Sequence, residues 1–496
     1  MQQDKRSWSI EWLKTIKTVY IGGEFHAGQG TEFRIENPFD GKVLLNYQAA
    51  SSQQVHLAVA AALTCQKSGA WHKRNMRERA EWMRAIGAAI RRHHAELATL
   101  ESLCNGKTYK EAFYDDIPDS ADVFDYYAGW IGKYYGDNVP VENGFINYTT
   151  REPVGVCALI VPWNFPLLLA CWKIATAIAA GNSVVIKPSE FTPLSMIRLF
   201  EIISDEVKVL PRGLLNLTCG AAQVGETLAM HSDVSKISFT GSTKIGREIA
   251  RQSAASNLKS VSLELGGKSA NIIFEDAPDM DFAIQRSFTA MFSHKGEKCS
   301  EPTRLLVQRN VYETVLNQLA AMAESVKCGD PFSDQTDQGP QCHRAHFERV
   351  VSYLKIGRDD GARLIAGGEI DRSANNGEGF FVRPTIFADA TSKMRIAREE
   401  IFGPILTVIP FEDEAEAIHI ANDSDYGLAA GLWTSDISRG HRVASALDSG
   451  MVFVNRYGCY DFTSPFGGFK QSGWGKEMGR ESIDAFTKTK SVWIKV

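Results

Sequence analysis

From Arg151 onward the chain alternates short apolar runs with segments of helical periodicity, and that alternation leaves few architectures open. The pattern predicts strands over 157–161, 183–186, 214–217, 236–239 and 261–265, separated by helices over 167–180, 193–207, 224–231 and 245–253. Strands that are apolar on both faces and joined through helices belong to a parallel sheet covered on both sides. The expected class is therefore α/β, with a doubly wound sheet. A second α/β series opens near Gly266-Gly267, with strands expected over 271–274 and 304–307 and helices over 280–292 and 311–327. Ahead of the first sheet, helical spacing predicts helices over 54–69 and 77–103. Two amphipathic extended segments, 147–151 and the terminal 491–496, stand outside both series. An apolar terminal strand is an aggregation hazard if left bare, so it is expected to pair with another element, with a subunit interface as its natural place.

At 496 residues the chain exceeds one hydrophobic core, so two or three domains are expected. The net charge of -5 is dispersed, without a basic stripe, which excludes a nucleic-acid partner from the working hypotheses. Residues 1–17 lack an apolar h-region, and the longest apolar runs are too short to cross a bilayer. Nine cysteines without CxxC pairs suit reduced thiols. A soluble, cytoplasmic protein with no membrane partner is expected. Cys342-His343 with His346 is the one candidate metal group, and it lacks a further ligand close in sequence, so no metal is expected.

A doubly wound sheet suggests a nucleotide, yet GxGxxG is absent. Phe239-Thr240-Gly241-Ser242 ends a strand and opens a helix, whose free N–H groups would favour phosphate oxygens, although taken alone such a turn is better explained by ordinary N-capping. Lys187-Pro188-Ser189-Glu190 follows a strand, where two hydroxyls of an adenine ribose would find hydrogen-bond partners, and the Glu190 carboxylate would repel a 2'-phosphate. A charged loop capping the next helix is the bland alternative. Cys299 lies between a helix and a strand, Glu264 ends a strand beside a Gly pair, and Asn164 sits in a loop between Pro162 and Pro166. Singly, each of the three has an ordinary structural explanation.

Together these segments resemble the aldehyde dehydrogenase superfamily. Val161-Pro162-Trp163-Asn164-Phe165-Pro166, Lys187-Pro188-Ser189-Glu190, Phe239-Thr240-Gly241-Ser242, Glu264-Leu265-Gly266-Gly267-Lys268, Gly296 to Cys299, Glu399-Glu400-Ile401-Phe402-Gly403-Pro404 and Pro465 to Gly473 occur in that family's order and near its spacing. The resemblance implies a Rossmann-like coenzyme domain (1–128 and 150–265), a catalytic α/β domain (266–470) and a small β oligomerisation flap (129–149 and 471–496). It also implies NAD as cofactor, an aldehyde as substrate, and a homodimer or homotetramer.

By the same resemblance Cys299 is the nucleophile, Asn164 and the Cys299 N–H hold the oxyanion, and Glu264 activates the water that hydrolyses the thioester. Coenzyme contacts carry over to Pro162, Trp163, Lys187, Glu190, Gly241, Ser242, Leu265, Glu400 and Phe402. Lys173 and Glu477 match positions near the active site, and Phe165, Leu169, Trp172, Tyr460 and Phe466 match a substrate tunnel. Glu297 and Lys298 depart from the family, which usually carries Gln and an uncharged residue there. An ammonium beside the nucleophile would lower the thiol's pKa or attract an anionic substrate, unless Lys298 points away. Acyl transfer to CoA is the runner-up chemistry, opposed by the presence of Glu264. A catalytically silent relative is opposed by Cys299, Asn164 and Glu264 together.

Overall fold

The computed structural model describes residues 2–496; Met1, the first residue of the segment read for a leader, lies outside them. The first sheet has eight strands in the order Glu24–His26, Val19–Ile21, Leu215–Thr218, Ser183–Lys187, Val156–Ile160, Lys236–Thr240, Ser260–Glu264 and Gly473–Trp474. Its five central strands are parallel. Every residue of Val156–Ile160, Ser183–Lys187 and Lys236–Thr240 is buried, which explains the apolar runs 156–160 and 184–186, while in Lys236–Thr240 the buried Lys236 ammonium is paired with Ser262 Oγ at 2.7 Å. Helix Pro166–Ala179 follows the first of them and ends at Gly181, whose φ of 93° suits a residue without Cβ. Asn182 then ties the turn down, donating to the carbonyls of Ala177 and Phe486 and accepting from the Gly155 N–H.

The second sheet has seven strands, ordered Arg363–Ala366, Thr385–Ala388, Ile405–Phe411, Arg304–Gln308, Ala270–Ile273, Ala429–Trp433 and Met451–Val454. All are parallel except the first, which is an antiparallel edge. The two amphipathic segments pair with each other: Thr487–Lys495 runs antiparallel to Phe145–Pro153 over nine residue pairs, and Asn138–Val139 adds a third strand. Trp493, 58% exposed, and Ile494, 44% exposed, are consecutive in the strand and so stand on opposite faces of this small sheet.

One expected helix is in fact two. The segment 77–103 divides into Met76–Arg92 and His94–Asn105 at His93, whose ring bonds Glu96 at 2.8 Å and Glu206 at 2.5 Å. His93 takes φ −98° and ψ 19°, outside the helical region, so the ladder stops without Pro or Gly.

Candidate active site

Along the first sheet the chain winds outward from Val156–Ile160 through Ser183–Lys187 to Leu215–Thr218, then returns to the other side as Lys236–Thr240 and Ser260–Glu264. The direction reverses between Val156–Ile160 and Lys236–Thr240. Open parallel sheets bind ligands in the crevice beyond the carboxyl ends of the strands at such a switch point. The loops leaving those ends carry Pro162, Trp163 and Asn164 on one side and Gly241 and Ser242 on the other.

Lys187 is the last residue of its strand and is buried to 6% exposure. Its ammonium donates to the carbonyls of Pro188 (2.8 Å) and Gly220 (2.6 Å) and stands 3.9 Å from the half-buried Glu190 carboxylate. Ser242 caps helix Thr243–Ser256 through the Ile245 N–H, and its exposed position leaves that helix N-terminus open. Leu265 packs under the same turn, where a Cβ on Gly246 would come within 2.5 Å of it.

Glu400 accepts a hydrogen bond from the Gly267 N–H at 3.0 Å, and its carboxylate fills the place a Gly266 side chain would take. Phe402 holds φ +65°, a left-handed conformation that costs a bulky residue about 1–2 kcal/mol, and its ring meets Trp163 edge-on at 5.3 Å. Two residues outside the sequence-based set support this loop. Arg349 donates to the carbonyls of Ile401 (3.0 Å) and Glu400, and Lys268, 1% exposed, holds its ammonium without a hydrogen-bond partner near the Glu400 charge. Lys268 follows the Gly pair of a recognised motif, which is a usable signal; nothing local in the sequence marks Arg349.

Three consecutive left-handed residues, His294, Lys295 and Gly296, turn the chain sharply after helix Met280–Phe292 and present Cys299 in a half-buried position. Six of the other cysteines are buried. The Cys299 carbonyl lies 2.2 Å from where a Gly267 Cβ would be, so only glycine lets the 266–267 backbone pass between the Cys299 loop and Glu400. Asn164, 5% exposed, spends one amide hydrogen on the Glu297 carbonyl at 2.8 Å and keeps the other. Glu264 ends its strand 3% exposed, with one carboxylate oxygen unpaired and the other against Gly467. Burial pushes its carboxyl group well above the usual carboxylate range, against the pull of Lys173 and Lys476. Burial also raises the Cys299 thiol, and the nearby Glu264 and Glu400 charges raise it further.

Behind Glu264, Lys173 and Glu477 form a buried ion pair, with Ser238 Oγ 3.0 Å from the ammonium. Trp172, Phe466 and Tyr460 form a chain of rings at 5.6 and 5.8 Å, and the Tyr460 hydroxyl meets Ser300 Oγ at 2.7 Å. The two unusual charges beside Cys299 part company. Glu297 turns inward to Lys295 (2.8 Å) and the Cys342 N–H (3.0 Å), and Lys298 bonds Ser293 Oγ (2.5 Å) with Glu301 at 3.8 Å. His343 caps helix Arg344–Asp359 and stacks on Phe191, while His346 packs on Trp163. Among the described residues no group of three metal-ligating side chains occurs.

A reachable thiol, a spare amide donor and a buried carboxylate, set where a doubly wound sheet meets a second α/β sheet, define an enzyme built for covalent thiol chemistry on a carbonyl. Residues 25–492 match the model of the aldehyde dehydrogenase family, and the chain belongs to that family. An aldehyde dehydrogenase of Emericella nidulans is 42% identical over 96% of this chain and 94% of its own length. The mitochondrial aldehyde dehydrogenase of Homo sapiens is 39% identical over 96% and 92%. The NAD+ complex of aldehyde dehydrogenase from Bacillus cereus superimposes with a TM-score of 0.94 at 41% identity, covering 98% of each chain.

Proposed function

We propose that this chain oxidises an aldehyde to the carboxylic acid with NAD as hydride acceptor, through a thiohemiacetal and then a thioester on Cys299. The observation that supports this reading is that Asn164 bonds the Glu297 carbonyl two residues before Cys299 while the Glu264 carboxylate lies near enough to act on the Cys299 thiol. Because burial raises the thiol, the attacking thiolate is the minor form near neutrality, and the charges of Glu264 and Glu400 both bear on it. As sulfur adds to the carbonyl carbon, the spare Asn164 N–H and the Cys299 backbone N–H take up the developing oxyanion. Bound NAD supplies the acceptor for the hydride that leaves the tetrahedral carbon. Glu264 then removes a proton from the water that attacks the thioester, and the raised carboxyl suits it to that task. The Lys173–Glu477 pair behind it offers an onward route for the proton.

The residues fit the coenzyme. Lys187 and Glu190 would hold the adenine ribose, and Gly241 and Ser242 at an open helix N-terminus would meet the pyrophosphate. Glu400 and Phe402 would hold the nicotinamide ribose, with Pro162, Trp163 and Leu265 as walls. The orphaned Lys268 ammonium fits a site that still awaits an acceptor. The relative from Bacillus cereus binds NAD+ on the same fold.

The division into a coenzyme domain (1–128 and 150–265), a catalytic domain (266–470) and a flap (129–149 and 471–496) is part of the same proposal, as is a cytoplasmic homodimer or homotetramer. The exposed apolar side chains of the small sheet, Ile146 and Ile494 on one face and Trp493 on the other, support assembly. No helix of the described residues is long and apolar enough to cross a membrane. The direct test is Cys299→Ala, which should abolish NADH production from a panel of aldehydes while NAD still binds. A variant that keeps most of its turnover would remove Cys299 from this role. CoA added to the wild type should yield no acyl-CoA.

A further inference from the structure

We propose that a basic groove at the amino-terminal end of the first sheet's central strand is a binding site for a small phosphorylated anion of nucleotide size. Its volume is about 630 Å3, and its walls carry Lys67, Lys73, Arg79, Arg151 and Lys488, with Glu152 as the only acidic residue. Glu152 is already claimed by Lys490. Lys67, Lys73, Arg79 and Lys488 have no carboxylate within ion-pair distance among the described residues, and Arg151 has only Asp484, at 3.6 Å.

Arg79 is the second, independent observation. It is 7% exposed, and its guanidinium donates to the carbonyls of Ile178 (3.1 Å) and Ala179 (2.7 Å) at the end of helix Pro166–Ala179, while its Nε has no partner. The negative end of a helix dipole compensates about half a charge. A buried cation so incompletely matched favours an anion beside it. Arg151, lying over the Tyr134 ring, offers the planar fork that suits phosphate oxygens, and the lysines add point charges. The half-buried Trp130 gives the groove an aromatic wall for the organic part of such a ligand.

The groove is distinct from the crevice around Cys299. Asn164 precedes the first turn of helix Pro166–Ala179, whereas Ala179 and Ala180 at its far end line the groove. Fourteen residues of helix separate the two by about 21 Å. Val154 and Gly155, at the amino end of the central strand, line the groove as well, and the proposed coenzyme contacts leave the carboxyl ends. An anion here would join the base of the small sheet, through Arg151 and Lys488, to the helices of the first domain.

The test is calorimetric titration of the full chain with inorganic tripolyphosphate and with ADP, at constant ionic strength and with NAD saturating so that the coenzyme crevice is filled. One site per chain with Kd below about 1 mM is expected, weakened at least tenfold in the variant Lys73→Glu/Lys488→Glu. Both lysines are exposed, so the fold should survive, as circular dichroism would verify, and turnover without added anion should match the wild type. A second variant, Lys67→Ala/Lys488→Ala, should weaken binding in the same direction. Absence of saturable binding in the wild type, or equal binding in both variants, would overturn the proposal.

Discussion

Asn164→Ala separates a chemical role from a structural one. The Asn164 amide donates one hydrogen to the Glu297 carbonyl at 2.8 Å, and that bond ties the 161–166 loop to the turn carrying Cys299. Losing it should cost about 1 kcal/mol of stability. In a chain of this size that is a shift of about 2 °C or less in the unfolding midpoint. The second hydrogen is the one assigned to the oxyanion. Removing such a donor costs about 2.7–4 kcal/mol in the transition state, or roughly 10²–10³ in kcat. Because the interaction is made only in the transition state, kcat and kcat/KM should fall by the same factor, and NAD affinity should not change. Steady-state NADH absorbance, a thermal melt and a coenzyme titration on one preparation give all three quantities. A loss in kcat below about tenfold in a folded variant would refute the oxyanion assignment.

Glu190→Gln removes the charge that stands 3.9 Å from Lys187, so the ratio of kcat/KM with NADP to that with NAD should rise at least about tenfold; an unchanged ratio would take Glu190 out of coenzyme selection. The pH dependence has a definite sign. Burial raises both Glu264 and Cys299, so each keeps its proton to higher pH than a free group, and the acid limb of kcat should lie above the usual carboxylate value of 4.5. Alkylation of Cys299 by iodoacetamide without NAD should likewise climb about tenfold per pH unit between 7 and 8, because the thiolate is the minor form. A flat alkylation profile across that range would contradict the buried-thiol reading.

Much of the fold was legible because strands buried on both faces announce themselves as apolar runs, and the second-sheet helix Met280–Phe292 has the bounds its periodicity predicts. Strand ends were less legible. Lys187 and Thr240 still pair in the ladder although each is polar, so apolar patterning stops one residue short of where chemistry begins. The break at His93 depends on Glu206, which is 113 residues away, and the hairpin of Val19–Ile21 with Glu24–His26 is too short to show a period. In the site, motif order brought the main candidates together. It did not give the direction of side chains: three left-handed residues before Glu297 send its carboxylate away from Cys299, and only the fold carries Arg349 from helix Arg344–Asp359 to the Glu400 loop.

In the proposed mechanism a thioester forms on Cys299, and Glu264 serves its hydrolysis more than its formation. Quenched-flow measurement of NADH in Glu264→Gln, with intact-protein mass taken at each time point, tests both parts at once. Gln keeps the size and hydrogen bonding of Glu, so the strand end at Gly473 and the contact with Gly467 should persist. A first burst of up to about one NADH per active site is expected, then a slow steady rate, with the acyl group accumulating on Cys299. An unimpaired steady rate, or turnover with no acyl mass on Cys299, would contradict this mechanism.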